Sequence, residues 1–97
     1  MKKIDLIDVI FKEISITRSE AKKSVEIILD EITLAIISGK GLEVRGFGGF
    51  QKRHRKGRIG VNPKTGQKTV VAEKFVPFFK PGKVLKEAVN KGELTID

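Results

Sequence analysis

Ile4, Ile7, Ile10 or Phe11, and Ile14 recur at helical spacing near the start of the chain, with Asp5, Asp8, Lys12 and Glu13 between them. This pattern predicts an amphipathic helix over residues 3–14 with the apolar positions in a core. Asp5 and Asp8 fall in its opening turns, where carboxylates suit the positive end of the helix dipole. Thr17-Arg18-Ser19-Glu20 reads as a capping box, with Ile16 and Ala21 placed to staple it. The helix it opens is expected to run to about Ser38 and to stop at Gly39, a natural left-handed residue after a helix end. Val25, Ile28, Leu29, Ile32 and Ile36 mark its buried stripe, while Leu34 and Ile37 lie partly off it. A helix apolar on more than one side has a neighbour on each side, which fits a subunit interface. Two helices joined by a short turn form a helical hairpin. A helix-turn-helix reader is the alternative, but Glu26, Asp30 and Glu31 on the outer face would repel phosphates.

The period then changes to two. Leu42-Glu43-Val44-Arg45 reads as a strand, followed by Gly46-Phe47-Gly48-Gly49-Phe50, where glycines alternate with large rings. A glycine-rich loop after a strand suggests a dinucleotide fingerprint, but the spacing fails and no suitable helix follows. Phe47 and Phe50 are expected to bury their rings while the glycines let backbone N–H groups approach a phosphate. Gln51–Val61 and Gln67–Val76 are two extended runs around Asn62-Pro63-Lys64-Thr65-Gly66, a turn signature with Pro63 near its tip. They predict a two-stranded ribbon too polar on both faces to lie on a core, hence projecting into solvent. Phe75-Val76-Pro77-Phe78-Phe79 returns the chain to the body, with Phe79 a core candidate, and Lys80-Pro81-Gly82 is expected to break the strand. A short helix over about Lys83–Asn90 follows, with Val84, Leu85, Ala88 and Val89 inward; no pattern is assigned to Lys91–Asp97. The fold class is α+β: a helical hairpin base, a three-stranded antiparallel sheet carrying a long ribbon arm, and a short C-terminal helix.

Charge changes this picture. Residues 51–74 carry eight cations, Lys52, Arg53, Arg55, Lys56, Arg58, Lys64, Lys68 and Lys74, against the single acid Glu73. The other 73 residues carry 12 cations and 11 acids, so nearly all of the chain's net charge of +8 sits on the ribbon. Such a segment is built to meet a polyanion. Lys80, Lys83 and Lys86 crowd the start of the last helix, an unfavourable place for cations unless an anion sits there; phosphate contacts or an ordinary solvated face are the two readings.

Ninety-seven residues make one domain, and with the ribbon set aside only about 70 remain for a core, which seldom supplies more than about 3–5 kcal/mol unaided. The chain has no cysteine and one histidine, His54, so neither disulfides nor a metal site is expected to supplement that core. A dimer is the remaining route. No apolar run approaches a membrane span and no export signal opens the chain, which points to the cytoplasm.

Gly46-Phe47-Gly48-Gly49-Phe50, the ribbon around Asn62-Pro63-Lys64-Thr65-Gly66, and Phe79-Lys80-Pro81-Gly82-Lys83 resemble the HU and integration host factor family of bacterial DNA-bending proteins. The resemblance spans about residues 2–90, with the motifs in the family's order. It implies an intertwined dimer in the bacterial nucleoid, either a homodimer or a heterodimer with a paralogue. Residues 1–38 would form the helical dimerisation base, residues 40–80 a saddle with the arm at about 51–74, and residues 82–90 the last helix. Two arms would reach around double-stranded DNA in its minor groove, as architectural proteins do. Arg53, Arg55 and Arg58 match arm cations along the groove, joined on charge by Lys64, Lys68 and Lys74. Asn62 and Pro63 match the tip, where the proline intercalates; Gly46, Lys80, Lys83 and Lys86 match positions near phosphates, and Phe47, Phe50 and Phe79 the aromatic core. The family usually has an arginine before the Asn-Pro pair, where this chain has Val61. Glu43-Val44-Arg45-Gly46-Phe47 and Phe75-Val76-Pro77 resemble the integration host factor β branch, in which the arginine before the glycine takes part in sequence preference. Arg45 otherwise touches phosphate or pairs with Glu43.

The rival from another class is a single-stranded DNA or RNA-binding module, which stacks bases on exposed aromatics. Here the phenylalanines cluster at the ribbon's base, and Tyr and Trp are lacking. An enzyme is disfavoured because no nucleophile–base pairing is evident, and no cofactor or small-molecule substrate is implied. A membrane-surface role lacks the cationic amphipathic helix it requires.

Overall fold

The structure, a computed structural model, describes residues 1–94. Its elements run α1 (Lys3–Glu13), α2 (Arg18–Ser38), β1 (Leu42–Val44), β2 (Gly48–Arg55), β3 (Arg58–Val61), β4 (Lys68–Val71), β5 (Lys74–Pro81) and α3 (Lys83–Lys91). β1, β2 and β5 form a three-stranded antiparallel sheet with β2 in the centre, and β3 and β4 form a separate two-stranded ribbon.

The hairpin of α1 and α2 is held at its corner. The Lys2 N–H donates to Asp5 Oδ2 at 2.6 Å, which satisfies a helix-start donor. At the start of α2 the Glu20 N–H donates to Thr17 Oγ1 at 3.1 Å and the Thr17 N–H donates to Glu20 Oε1 at 3.0 Å, so the capping box is reciprocal. The Thr17 N–H and then its hydroxyl hold the Glu20 carboxyl below the usual carboxylate range. That contribution is present at neutral pH and is lost as pH falls through the lowered value. Arg18 pairs with Asp8 across the corner while its guanidinium lies 5.8 Å from the Phe11 ring centroid. α2 ends at Gly39, left-handed at φ 81°, as the sequence predicts.

Ile7, Ala21 and Val25 form the buried cluster, with Ile10 and Ile16 packed against it. The predicted stripe of α2 is therefore corrected. Val25 is buried, Ile32 and Ile36 are half-buried, and Ile28, at 57% exposure, and Leu29 face outward. Ile4, Phe11 and Ile14 of α1 are likewise exposed rather than core. The physical reason is that α1 has only α2 to lie on, so one line of contact is all a single chain can cover. In α3, Ala88 is buried and Val84 and Leu85 are half-buried, but Val89 is 74% exposed, contrary to its expected inward placement.

Two strand boundaries also differ. The extended runs Gln51–Val61 and Gln67–Val76 are each interrupted, at residues 56–57 and 72–73, so the ribbon is two ladders in series. A Cβ on Gly57 would lie 3.0 Å from the Val71 carbonyl oxygen and 3.2 Å from the Glu73 nitrogen, so the opposite strand's backbone comes close there. Within Lys80-Pro81-Gly82 the break falls at Gly82: β5 continues through Pro81, an edge position where a missing N–H is tolerated, and Gly82 caps α3. Beyond Asn90, Lys91 completes α3 and Gly92 caps it in the left-handed region at φ 75°, while residues 95–97 lie outside those described.

Thr17→Ala should remove the side-chain half of the capping box and cost about 1 kcal/mol. Thermal unfolding followed by circular dichroism should show the melting temperature falling by several degrees.

Candidate nucleic-acid interface

The β2–β5 ladder pairs Phe50 with Phe79, Lys52 with Pro77 and His54 with Phe75, and in alternation Gly49 with Lys80, Gln51 with Phe78, Arg53 with Val76 and Arg55 with Lys74. Directly opposed residues share a face, so the first set lines one side of the sheet and the second set the other. The first side meets the helices. Phe47, Phe50 and Phe79 cluster there with ring centroids 4.8–6.4 Å apart. Gly48 makes that packing possible: at φ 151°, a Cβ on it would lie 2.8 Å from the Phe79 ring and 2.5 Å from the Lys80 carbonyl oxygen.

Lys52 is counted among the ribbon's cations but belongs to this inner side. Its ammonium donates to the Ile37 carbonyl at 3.3 Å and lies 4.6 Å from the Phe75 centroid. It supplies the positive charge that the last turn of α2 lacks. His54 also points inward, 3.1 Å from Glu73 and 5.2 Å from Phe75 between ring centroids.

The outer side carries Arg53, Arg55, Lys74 and Lys80, all exposed. The Arg53 guanidinium lies 3.5 Å from the Phe78 centroid, which fixes a long flexible cation in place before any ligand arrives. Phe78, to which the sequence assigns no role, is thus a platform; its alternation with Phe79 was the available signal.

A second cationic group forms where β1 turns into β2. Phe47 N–H donates to the Val44 carbonyl at 3.0 Å, leaving Arg45 and the left-handed Gly46 (φ 83°) at the corner. Gly82 N–H donates to the Phe47 carbonyl at 2.9 Å, so this corner rests on the first residue before α3. Arg45, Gly46 and Lys80 line an open concavity of about 770 Å³ together with Lys40, Gly48 and Gly82. Lys83 and Lys86 follow in the first turns of α3, on a helix whose first turn holds no acid. Arg45 does not pair with Glu43: among the described residues the ion pairs are Lys3–Glu26, Arg18–Asp8 and His54–Glu73. Lys40 was missed, although a lysine between two glycines after a helix end was a usable cue.

The ribbon tip is ordered by its own polar groups. The Asn62 N–H donates to the Gln67 carbonyl at 2.9 Å and the Gly66 N–H to the Asn62 carbonyl at 2.7 Å. The Asn62 side-chain oxygen takes the Lys64 N–H at 2.9 Å, an Asx turn. Pro63 and Lys64 stand exposed at the end of this closed loop. The structure thus brings together Arg45, Gly46 and Lys80 at the corner, and Arg53, Arg55 and Lys74 along the outer face. Asn62, Pro63, Lys64 and Lys68 form a third group at the arm's far end. Arg58 pairs with Val71 at the start of the separate β3–β4 ladder.

A two-stranded cationic arm on a small helix-and-sheet body defines an architectural nucleic-acid-binding protein rather than an enzyme. The family model described as bacterial DNA-binding protein matches residues 1–90, and the chain belongs to that family, the architectural DNA-binding proteins of the HU and integration host factor type. It is 42% identical over 93 residues to the integration host factor subunit beta of Alkalilimnicola ehrlichii, covering 95% of this chain and 93% of that protein. It is 48% identical over 71 residues to the subunit beta of Neisseria meningitidis, covering 73% of this chain and 68% of the other. Among solved structures, the Anabaena HU–DNA cocrystal structure matches with a TM-score of 0.80 at 37% identity, covering 92% of this chain and 97% of that one. A mutant HU from Thermotoga maritima matches with a TM-score of 0.66 at 32% identity, covering 92% and 99%.

The two faces predict different mutant behaviour. Arg55→Ala should make the log–log salt dependence of duplex DNA binding shallower by about 0.9, the loss of one phosphate contact. Lys52→Ala should leave that slope unchanged and instead lower the melting temperature. Binding titrations at several salt concentrations, with melting curves, separate the two.

Proposed function

We propose that two copies of this chain, or this chain and a paralogue, form an intertwined dimer that bends double-stranded DNA by laying its arms in the minor groove. The observation that carries this reading is the outer face itself: four exposed cations in one register, leading to an ordered tip that presents Pro63. The molecule extends 60 Å along its longest axis, long enough for the arm to follow a groove away from the body.

The dimer follows from what one chain leaves uncovered. Ile4, Phe11, Ile14, Ile28, Leu29, Leu34 and Ile37 are exposed, and among the described residues no large side chain is fully buried. A second hairpin of α1 and α2 would supply the missing side of the core. Phe47, Phe50 and Phe79 then sit where the two sheets would meet, as the dimer's aromatic centre. Likeness to HU and integration host factor proteins supports the same assembly, and with it a place in the bacterial nucleoid.

Bending has a definite energetic shape. Opening a base step costs a few kcal/mol and curving a short site roughly 1–6 more. Arg53, Arg55, Arg58, Lys64, Lys68 and Lys74 on the arm, with Lys80, Lys83, Lys86 and the Arg45–Gly46 corner at its root, offset this by neutralising phosphates on both sides of the bend. Pro63 is the wedge. Its ring is compact, apolar and already fixed in φ, so little conformational freedom is lost on insertion. Arg45, free of Glu43, is available to the groove and would carry whatever sequence preference the protein has.

With about 8 phosphates neutralised, the slope of log affinity against log salt should lie near −7; a slope shallower than about −3 is incompatible with wrapped arms. Pro63→Ala should reduce bending, read by energy transfer between labelled duplex ends, and should weaken binding to straight duplex more than to pre-bent or gapped duplex. Equal losses on both would exclude a wedge.

A further inference from the structure

The ladder between β2 and β5 ends at Arg55–Lys74, and the ladder between β3 and β4 begins at Arg58–Val71. Residues 56–57 and 72–73 lie in neither, so the ribbon carries a joint between two separately paired segments. Gly57 keeps that joint narrow, since the Val71 carbonyl and the Glu73 nitrogen leave little room for a side chain there. Glu73 belongs to the joint and is the one acid in residues 51–74. Its carboxylate turns back onto the inner ladder, where Oε2 lies 3.1 Å from His54 Nε2. His54 in turn rests against Phe75, its partner across the ladder, with ring centroids 5.2 Å apart. Lys52, Arg53, Arg55, Lys56 and Lys74 are all neighbours in sequence, yet none of them makes an ion pair with Glu73. Among the described residues, the ribbon's single acid pairs with the chain's single histidine.

We propose that His54 and Glu73 form a pH-dependent brace across this joint, with Glu73 positioning the outer ribbon through His54. Imidazole is the side chain whose ordinary titration falls between about pH 5 and 8. With the ring charged, the contact is a charge-assisted bond that ties the joint to the inner ladder. As pH rises and the ring loses its proton, that bond weakens to one between a neutral ring and a carboxylate, and the joint loosens. Lys52 on the same side of β2, Arg53 and Arg55 on the other, Lys56 in the joint and Lys74 beside Glu73 all repel an imidazolium. Glu73 is the only charged neighbour that attracts one. The two side chains are 43% and 73% exposed, so solvent screens the pair and its effect is modest. Position gives it reach, because a joint residue held or released changes the freedom of the whole outer ribbon. The effect on binding rests on the reading that the arm meets duplex DNA: an arm ordered beforehand loses less freedom on the duplex.

The test uses the full-length protein and three variants at these exposed positions, Glu73→Gln, His54→Gln and His54→Lys. Heteronuclear nuclear Overhauser effects of the backbone amides at residues 56–57 and 72–73 read the motion of the joint in the free protein. Duplex affinity is measured at the same pH values. From about pH 8 to about pH 6 the wild-type joint should become more ordered, and duplex affinity should rise about threefold. Glu73→Gln should abolish the ordering and most of the gain in affinity, while the His54 ring still titrates in proton spectra. His54→Lys should keep the joint ordered throughout, and His54→Gln should keep it loose. A wild-type joint indifferent to pH overturns the proposal, and so does a His54→Lys joint as loose as that of His54→Gln. A Glu73→Gln variant that keeps the full pH dependence of affinity also overturns it, since His54 would then be one more cation meeting phosphate. Ordering of the free joint with no affinity for duplex at any pH would uphold the brace and remove the DNA reading instead.

Discussion

The antiparallel ladder between Gly48–Arg55 and Lys74–Pro81 is the constraint from which the other features follow. A strand has two sides, and this pair uses them for incompatible purposes. One side needs rings packed on helices; the other needs charges kept in water until a polyanion arrives. Alternation achieves both within eight residues because Phe50, Lys52 and His54 fall between Gln51, Arg53 and Arg55. A helix of the same composition would spread these residues around its circumference and could not separate them so sharply.

The ladder also explains how an arm with seven surplus charges stays folded without its ligand. Like charges along a thin ribbon repel, and an isolated hairpin is marginal in water. Here the repulsion is countered locally rather than by a core. Arg53 rests on Phe78, Lys52 is drawn to the end of α2, and His54 reaches Glu73 across the strands. The tip closes on its own backbone through Asn62 and Gln67. Each contact is small, and together they hold the ribbon's base and close its tip.

Much of this was legible in the sequence. The capping box at Thr17, the stop at Gly39 and the Asn62–Gly66 turn each rest on chemistry local to a few residues, and each appears in the structure as expected. The charge count singled out the candidate interface because the rest of the chain is nearly neutral. Burial was not legible in the same way. Ile28, Leu29, Ile14 and Val89 have the spacing of core residues, but spacing says which face is apolar and not what covers it. Where the covering surface belongs to another chain, a single chain leaves that face open. The interruption at Gly57 was not legible because nothing distinguishes a glycine that permits a close backbone approach from one that merely weakens a strand. Lys52 and Arg53 are neighbours of the same charge, and only the pairing shows that one reaches the end of α2 while the other stacks on Phe78 on the outer side.

The register of the β3–β4 ladder carries a consequence for how such an arm can change length. A single residue inserted into one strand would turn over the side chains beyond it on that strand alone, exchanging Arg58 for Ile59 on β3 or Thr69 for Val70 on β4, unless a bulge absorbs it. Keeping both the pairing and the facing without a bulge takes two residues added or removed on each strand, so an arm of this kind changes length by two residues per strand.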